Sequence, residues 1–182
     1  MSGEAGGYQP MSGNGPRVRT DVVDVYVFQR VAGGAGAAEG REQVSFLQML
    51  RSGPPLENTW HPVMGHVETG ETATDCALRE LSEELGIERG DPALLGLWAL
   101  EQVHPFYIAA IDTIVMSPRF AAEIAPGWSP TLNSEHREFR WVPEGLIDES
   151  FMWPGQKAAC REVLSMIVPR TVGGEHVRIR LR

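Results

Sequence analysis

Three glutamates near the middle of the chain have the spacing of a metal site on one helix face. Glu80, Glu83 and Glu84 stand at positions i, i+3 and i+4, and on an α-helix side chains at these spacings project from one face. Carboxylates placed so closely repel each other, which favours a compensating cation. Oxygen ligands suit a hard divalent ion such as Mg²⁺ or Mn²⁺ better than zinc. Taken alone, the trio has an alternative interpretation as an acidic helix face that is merely solvated.

The helix that must carry these glutamates is predicted over residues 72–85. Thr72 and Asp75 have the spacing of a capping box, and Gly86 is a typical residue at a helix end. A leucine stripe predicts the face that enters the core: Leu78, Leu81 and Leu85. The small residues Ala73, Cys76 and Ala77 are predicted to share the acidic face, where they would leave room for a ligand.

A glycine-containing turn, residues 65–70, leads into this helix. Its backbone groups are free to approach a phosphate or to supply a carbonyl oxygen to a metal. Arg79, which directly precedes the first glutamate of the trio, can orient a neighbouring carboxylate through paired hydrogen bonds. The turn, the arginine and the glutamates together predict a site for a phosphorylated ligand and a divalent ion.

The complete window resembles the signature of the Nudix hydrolases. That signature runs Gly, five residues, Glu, seven residues, Arg-Glu, an aliphatic residue, any residue, Glu-Glu, any residue, Gly and an aliphatic residue. Every position is filled here: Gly65, Glu71, Arg79, Glu80, Leu81, Glu83, Glu84, Gly86 and Ile87. The resemblance implies a Mg²⁺-assisted enzyme, with Mn²⁺ as a substitute, in which water attacks phosphorus in a nucleoside diphosphate linked to another group.

The resemblance also implies roles for individual residues. Glu80 and Glu84 would be the principal metal ligands, Glu83 a ligand or the base that activates water, and Gly65 a carbonyl ligand. Arg79, together with Glu71, would hold the loop and the helix in place. The implied fold is an α/β/α sandwich with a mixed β-sheet between helices, and the implied assembly is a homodimer.

Residues outside the window resemble the branch that contains dihydroneopterin triphosphate and dATP pyrophosphohydrolases. The matching positions are Trp60, Val63, Met64, Glu135, His136, Phe139, Trp141 and Trp153. This branch implies a nucleoside or pterin triphosphate as substrate and Glu135 as a further metal-binding or water-activating carboxylate. The aromatic side chains of Trp60, Phe106 and Tyr107 are candidates for stacking on the substrate's ring. The alternatives are ADP-ribose or dinucleotide polyphosphates as substrate, or a Nudix module that senses a nucleotide without hydrolysing it.

The remaining pattern predicts a single α/β domain over residues 17–182, preceded by a disordered glycine-rich tail over residues 1–16. Loops are predicted at 31–42 and 117–134, and a second helix at about 154–167. The predicted strands cover residues 21–29, 44–50, 60–67, 94–101, 106–116, 137–142 and 177–182. Interleaved strands and helices of this kind indicate a layered sandwich.

The composition of the chain argues against two classes of partner, nucleic acids and membranes. The 182 residues include 24 acidic and 16 basic side chains, for a net charge of -8. This balance argues against a protein that binds nucleic acid by neutralising its phosphates. The most apolar stretch, residues 106–116, contains Asp112 and is too short to cross a bilayer. Two cysteines are too few for a disulfide framework, so we expect a cytoplasmic protein without a membrane partner.

Overall fold

A computed structural model describes residues 15–32 and 42–181. The predicted tail lies outside the described residues except for its last two positions. Of the predicted loop at 31–42, residues 33–41 lie outside them, and both ends of that prediction are wrong because residues 31, 32 and 42 belong to strands. Eleven strands are described: β1 (Arg17–Arg19), β2 (Val22–Ala32), β3 (Glu42–Arg51), β4 (Trp60–His61), β5 (Val63–His66), β6 (Leu94–Ala99), β7 (Phe106–Ile108), β8 (Thr113–Val115), β9 (Arg119–Ile124), β10 (His136–Pro143) and β11 (Arg178–Ile179). Four α-helices accompany them: α1 (Ala73–Leu85), α2 (Ile147–Ser150), α3 (Pro154–Glu162) and α4 (Val172–His176).

The main sheet is mixed, and its central strand is β2. Its order is β10-β3-β2-β9-β6-β11, with β4 paired to β3 and β5 paired to β2. The β2–β9 pair is parallel and the other pairs of this sheet are antiparallel. A separate three-stranded sheet has the order β1-β8-β7. The mixed sheet with helices on both faces confirms the predicted α/β/α sandwich.

The alternation of side chains along β2 explains the two apolar layers. Val23, Val25 and Val27 face one side and pack with the leucine stripe of α1. Tyr26 and Phe28 face the other side and pack with α2 and α3. Because successive strand residues point to opposite faces, one strand supplies both cores.

Two of the predicted segments are wrong between residues 106 and 134. The single strand predicted over residues 106–116 is instead a hairpin of β7 and β8, because a 3₁₀ turn at Ala109–Ile111 and a left-handed Asp112 with φ of 47° reverse the chain. The loop predicted over residues 117–134 contains β9, which lies between β2 and β6. Its alternation was hidden by Arg119 and Glu123, two charged residues that are paired inside the fold.

The C-terminal part follows the predictions more closely. The helix predicted at 154–167 is α3 continued by a π-helical turn, Val163–Ile167. The predicted terminal strand is shortened to β11, which pairs with β6 at the edge of the sheet. The short helices α2 and α4 were not predicted, since each spans only about one turn. No helix in the described ranges is both long and apolar enough to span a bilayer.

Candidate active site

The capping residues fix α1 at the position that the sequence predicts. The Thr72 hydroxyl accepts a hydrogen bond from the Asp75 N–H at 3.2 Å. At the other end Gly86 adopts the left-handed conformation, with φ of 74°, which costs little for a residue without a Cβ. The three leucines of the stripe are buried, so their packing sets which face of the helix turns toward β5.

The three glutamates do not share one environment. The side chains of Glu80 and Glu84 are turned inward, with only 8% and 3% of each residue exposed. The Glu83 side chain remains 55% exposed. The prediction that Ala73, Cys76 and Ala77 leave room for a ligand is wrong for the last two, since Cys76 and Ala77 are fully buried in the core between α1 and the sheet.

Gly65 allows β5 to approach Glu80 closely. A Cβ at this position would lie 2.0 Å from both Cδ and Oε1 of Glu80. The close approach leaves space for the carboxylate only because residue 65 has no side chain. It also places the Gly65 backbone beside the Glu80 carboxylate, and the role of Gly65 as a carbonyl ligand stays a prediction.

Arg79 joins the turn to the helix through its hydrogen bonds. Its guanidinium donates hydrogen bonds to both carboxylate oxygens of Glu71, at 3.0 and 3.1 Å, and to the His66 carbonyl at 2.9 Å. Another guanidinium nitrogen contacts Glu80 at 2.7 Å and Glu83 at 3.2 Å. One arginine therefore fixes the Glu71 side chain and orients two of the three glutamates.

Glu135 reaches the same region from the loop before β10. Its carboxylate forms an ion pair with Arg51 at 3.2 Å, and its side chain is 54% exposed. Its backbone is held at both ends, because its N–H donates to the Asn133 side chain and its carbonyl accepts from the Ser52 N–H. Pairing of β10 with β3 places His136 opposite Arg51, which brings this loop beside the acidic helix.

The site contains more carboxyl groups than basic groups, and this excess shifts the pKa values of its glutamates. Burial, reinforced by the neighbouring carboxylates of Glu80 and Glu135, raises the pKa of Glu84 to about 9. Burial also raises the pKa of Glu80, although the hydrogen bond from Arg79 opposes this. The Oε2 atom of Glu84 is buried and has no hydrogen-bond partner among the described residues. A buried, unpartnered carboxylate oxygen next to two further carboxylates is a position where a cation would be stabilising.

The donor chemistry fits a divalent metal. Within the described ranges, no three acidic, histidine or cysteine side chains are arranged to hold an ion as they stand. The reason is visible in the pairing, because Glu80 is bonded to Arg79 and Glu135 to Arg51. The free Oε2 of Glu84 and the cleared space at Gly65 nevertheless provide the oxygen-rich surroundings that a hard cation prefers.

The three aromatic candidates for ring stacking occupy different places. Phe106 and Tyr107 lie on β7 of the small sheet, with 43% and 56% of each residue exposed. The ring of Trp60 is covered by the Arg140 guanidinium, 4.3 Å from the ring centroid. No described contact joins any of the three to the carboxylates of α1, so their role in substrate binding stays a prediction.

Sequence reasoning missed Arg51 and the contact between the two histidines beside it. His61 and His136 are only 2% and 4% exposed, and their ring centroids are 5.5 Å apart. Burial lowers the pKa of His136 to about 4, with further lowering by His61 and Arg51. No local motif shows that these residues meet, because only the register of β3 with β4 and β10 assembles them.

A scan against family models decides the classification. The model of the NUDIX domain matches residues 27–162. The chain belongs to the NUDIX domain family. The divalent metal ions that Nudix hydrolases use agree with the donor chemistry of the site.

Individual relatives are distant. A Myxococcus xanthus protein named as an octanoyltransferase is 29% identical over 106 residues, which cover 57% of this chain and 28% of that protein. The chain therefore spans less than a third of this relative's length.

Among solved structures, an Ap4A hydrolase from C. elegans matches with a TM-score of 0.63 and 19% identity, covering 83% of this chain and 99% of that one. The E. coli dihydroneopterin triphosphate pyrophosphohydrolase matches with a TM-score of 0.57 and 19% identity, covering 82% and 99%. At this identity both likenesses concern the fold, so the branch that the sequence resembles is one of several similar Nudix structures.

Proposed function

We propose that this Nudix hydrolase is a Mg²⁺-dependent pyrophosphohydrolase that cleaves a nucleoside or pterin triphosphate to a monophosphate and pyrophosphate. The observation that carries the proposal is the buried, unpartnered Glu84 carboxylate oxygen, with Glu80 and Glu135 within electrostatic reach and the Gly65 backbone beside Glu80. This all-oxygen set favours Mg²⁺, with Mn²⁺ as a substitute.

Each residue of the site has a separate role in the proposed reaction. Glu80 and Glu84 would hold the metal with the Gly65 carbonyl, and Arg79 would keep Glu80 in place through its 2.7 Å contact. A bound divalent ion would supply activation of the attacking water and neutralisation of charge on the phosphates. Hydrolysis forms a bond from the water oxygen to phosphorus and breaks the bond between phosphorus and the bridging oxygen, which leaves with the pyrophosphate.

Two carboxylates are candidates for the base that accepts the water's proton. Glu83 and Glu135 have side chains that are 55% and 54% exposed, so either can pass a proton to solvent. Glu84 is unsuited to this task because it is buried. The proposed catalytic set is therefore Glu80, Glu83 and Glu135, and Arg79 positions the first two.

A substrate panel tests the proposal. Purified protein with Mg²⁺ is given nucleoside triphosphates, dihydroneopterin triphosphate, ADP-ribose and dinucleotide polyphosphates, and the products are identified. We expect pyrophosphate and a monophosphate from a triphosphate. Turnover confined to ADP-ribose or to dinucleotides would replace the proposed substrate class, and saturable nucleotide binding without any turnover would instead support the sensing alternative.

A matched variant tests the site. Glu84→Gln preserves size and removes the charge, and we expect activity to fall by at least about 10²-fold because the metal loses a buried ligand. Arg161→Ala is the control, since this exposed side chain pairs only with Asp148 among the described residues. Full activity of the Glu84 variant would contradict the assignment.

The assembly and the compartment belong to the same proposal. A homodimer is supported by family resemblance alone and is tested by measuring the mass in solution. A reducing compartment such as the cytoplasm is supported by Cys76 and Cys160, which are buried and free.

A further inference from the structure

Three buried polar atoms lie on one face of the main sheet and have no hydrogen-bond partner among the described residues. They are Nε of Arg51 and the Nε2 atoms of His61 and His136. Arg51 lies opposite His136 in the β3–β10 pair, and His61 lies opposite Met49 in the β3–β4 pair. Residues two apart on a strand share a face with their partners on neighbouring strands, so all three side chains project to the same side. The charge of Arg51 acts on both rings.

The hydrogen bonds around His136 fix which of its nitrogens carries the proton. The Asn133 side-chain oxygen accepts a hydrogen bond from the Glu135 N–H at 3.0 Å, which an amide NH₂ group cannot do. The same oxygen lies 3.2 Å from Nδ1 of His136. Because this oxygen only accepts, Nδ1 must carry the proton, and the neutral ring presents a lone pair at Nε2.

His61 is held in the same tautomer. Its Nδ1 lies 3.2 Å from the Pro62 carbonyl oxygen, which also only accepts. Both rings are buried, with 2% of His61 and 4% of His136 exposed, and a second positive charge beside Arg51 would be unfavourable there. The two neutral rings therefore present two acceptors, and Arg51 presents one donor.

We propose that a buried water molecule binds between Arg51 and the two histidines and thereby positions Glu135 at the reaction centre. The water would accept a hydrogen bond from Nε of Arg51 and donate one to each Nε2. Buried waters typically make about three hydrogen bonds to polar groups that otherwise lack a partner. A metal ion does not fit this position, because the guanidinium offers only donors.

The water closes a ring of hydrogen bonds around Glu135. Asn133 accepts hydrogen bonds from the Glu135 N–H and from His136. The water joins His136 to Arg51, whose terminal nitrogen pairs with the Glu135 carboxylate at 3.2 Å. This network holds both the backbone and the carboxylate of Glu135, although its side chain is 54% exposed. His61 and His136 are positioning residues, and this role rests on the function proposed above for Glu135.

Nitrogen NMR of the isotope-labelled imidazole rings tests the water site in the full chain without substrate or metal. We expect His61 and His136 to carry their protons on Nδ1 and to have unprotonated Nε2 atoms. The exposed His176 serves as the solvent-accessible reference. A crystal structure at high resolution should show one water within about 3.2 Å of all three atoms. A proton on Nε2 of either ring, or a protein group in place of the water, would overturn the inference.

Kinetics test the positioning role. His61→Phe removes one acceptor of the water, and we expect kcat to fall by about 10-fold with little change in KM, as is typical when an outer contact of a metal site is lost. His61→Gln keeps an acceptor near the place of Nε2 and should restore most of the activity. The control is His176→Phe, which changes an exposed histidine of α4.

A double variant separates positioning from a general loss of structure. In a Glu135→Gln background, His61→Phe should lower kcat by less than about 2-fold, because its effect passes through the carboxylate that is already lost. An equal loss in both backgrounds, or full activity of His61→Phe, would overturn the positioning role.

Turnover distinguishes this inference from the proposed function. Rings protonated on Nδ1 and a bound water, in a protein that cleaves no triphosphate, would support the water site while refuting the proposed function. Triphosphate hydrolysis by a protein with a proton on Nε2 of either ring would do the reverse.

Discussion

Two buried carboxylates on opposite faces of the central sheet have contrasting surroundings. Asp24 of β2 is 5% exposed and pairs with Arg119 of β9, which is 4% exposed, at 3.3 Å. Glu84 of α1 is 3% exposed, and its Oε2 has no described hydrogen-bond partner. Burial raises the pKa of both carboxyls. In Asp24 the arginine opposes the shift, whereas in Glu84 the neighbouring Glu80 and Glu135 increase it.

This difference in partners distinguishes Asp24, whose charge stabilises the fold, from Glu84, whose position suits a functional site. Arg119 also donates a 2.8 Å hydrogen bond to the Gly155 carbonyl, so the Asp24 pair joins β2, β9 and the start of α3 in one satisfied network. Glu84 instead has no ion-pair partner among the described residues, and burial with the neighbouring carboxylates holds its pKa far above the ordinary value. Such a site reduces stability and holds a strongly perturbed carboxyl where a cation can bind, as is typical of active sites.

The largest expected effect comes from breaking the satisfied pair. Arg119→Met leaves Asp24 buried without its cation and the Gly155 carbonyl without its donor, and we expect a loss of about 3–5 kcal/mol in the free energy of unfolding. Urea denaturation at neutral pH measures it. Replacing both partners, with Asp24→Leu and Arg119→Met, should recover much of the loss, because no buried charge remains. A loss below about 1 kcal/mol in the single variant would remove the contrast with Glu84.

The acidic site around Glu84 could be predicted from sequence, because the residues that mark it lie close together in the chain. The spacing of Glu80 and Glu84, the cap at Thr72 and the leucine stripe all lie within one helix, where the 3.6-residue period fixes the direction of each side chain. That period could not show that Glu83 would be exposed while its neighbour is buried, since this depends on how closely β5 approaches at Gly65.

The Asp24–Arg119 pair could not be predicted from sequence, because it depends on pairing between strands that are distant in the chain. Asp24 lies opposite Arg119 only through the parallel register of β2 with β9, and residue 119 falls within the segment that its local pattern predicts as a loop. Arg51 likewise meets Glu135 only when β3 pairs with β10. In both cases the partner comes from a distant segment of the chain, which no local pattern can show.

A second prediction sharpens the comparison through pH. The pKa of Glu84 is about 9 in the folded protein and about 4.3 when unfolded. Between these values the folded state binds the additional proton, so this carboxyl lowers stability progressively as pH rises. In the metal-free protein Glu84→Gln should be about 1–3 kcal/mol more stable than the wild type at pH 8 and nearly equal to it at pH 4.5.

Thermal denaturation in a chelator, repeated at intervals from pH 4.5 to pH 8, measures this difference. Added Mg²⁺ should stabilise the wild type far more than the variant, since the variant lacks one proposed ligand. A variant that loses stability at pH 8 without metal would mean that Glu84 is structurally satisfied in the manner of Asp24, and the comparison would fail.

The smallest expected effect on stability comes from Gly65→Ala, which moves a neighbour of Glu84 without changing any charge. The new Cβ would meet the end of the Glu80 side chain, at 2.0 Å from Cδ, and a flexible side chain can rotate away. We therefore expect a change of less than about 1 kcal/mol in the free energy of unfolding, with kcat/KM and Mg²⁺ affinity each lowered by about 10-fold or more, since the displaced Glu80 is a proposed metal ligand and even outer contacts of a metal site typically cost that much. Gly145→Ala is the matched control, because a Cβ there meets no atom within 4 Å among the described residues. Unaltered Mg²⁺ affinity in Gly65→Ala would place the metal away from Glu80, whereas a large loss of stability would show that the space at Gly65 serves the core rather than the site.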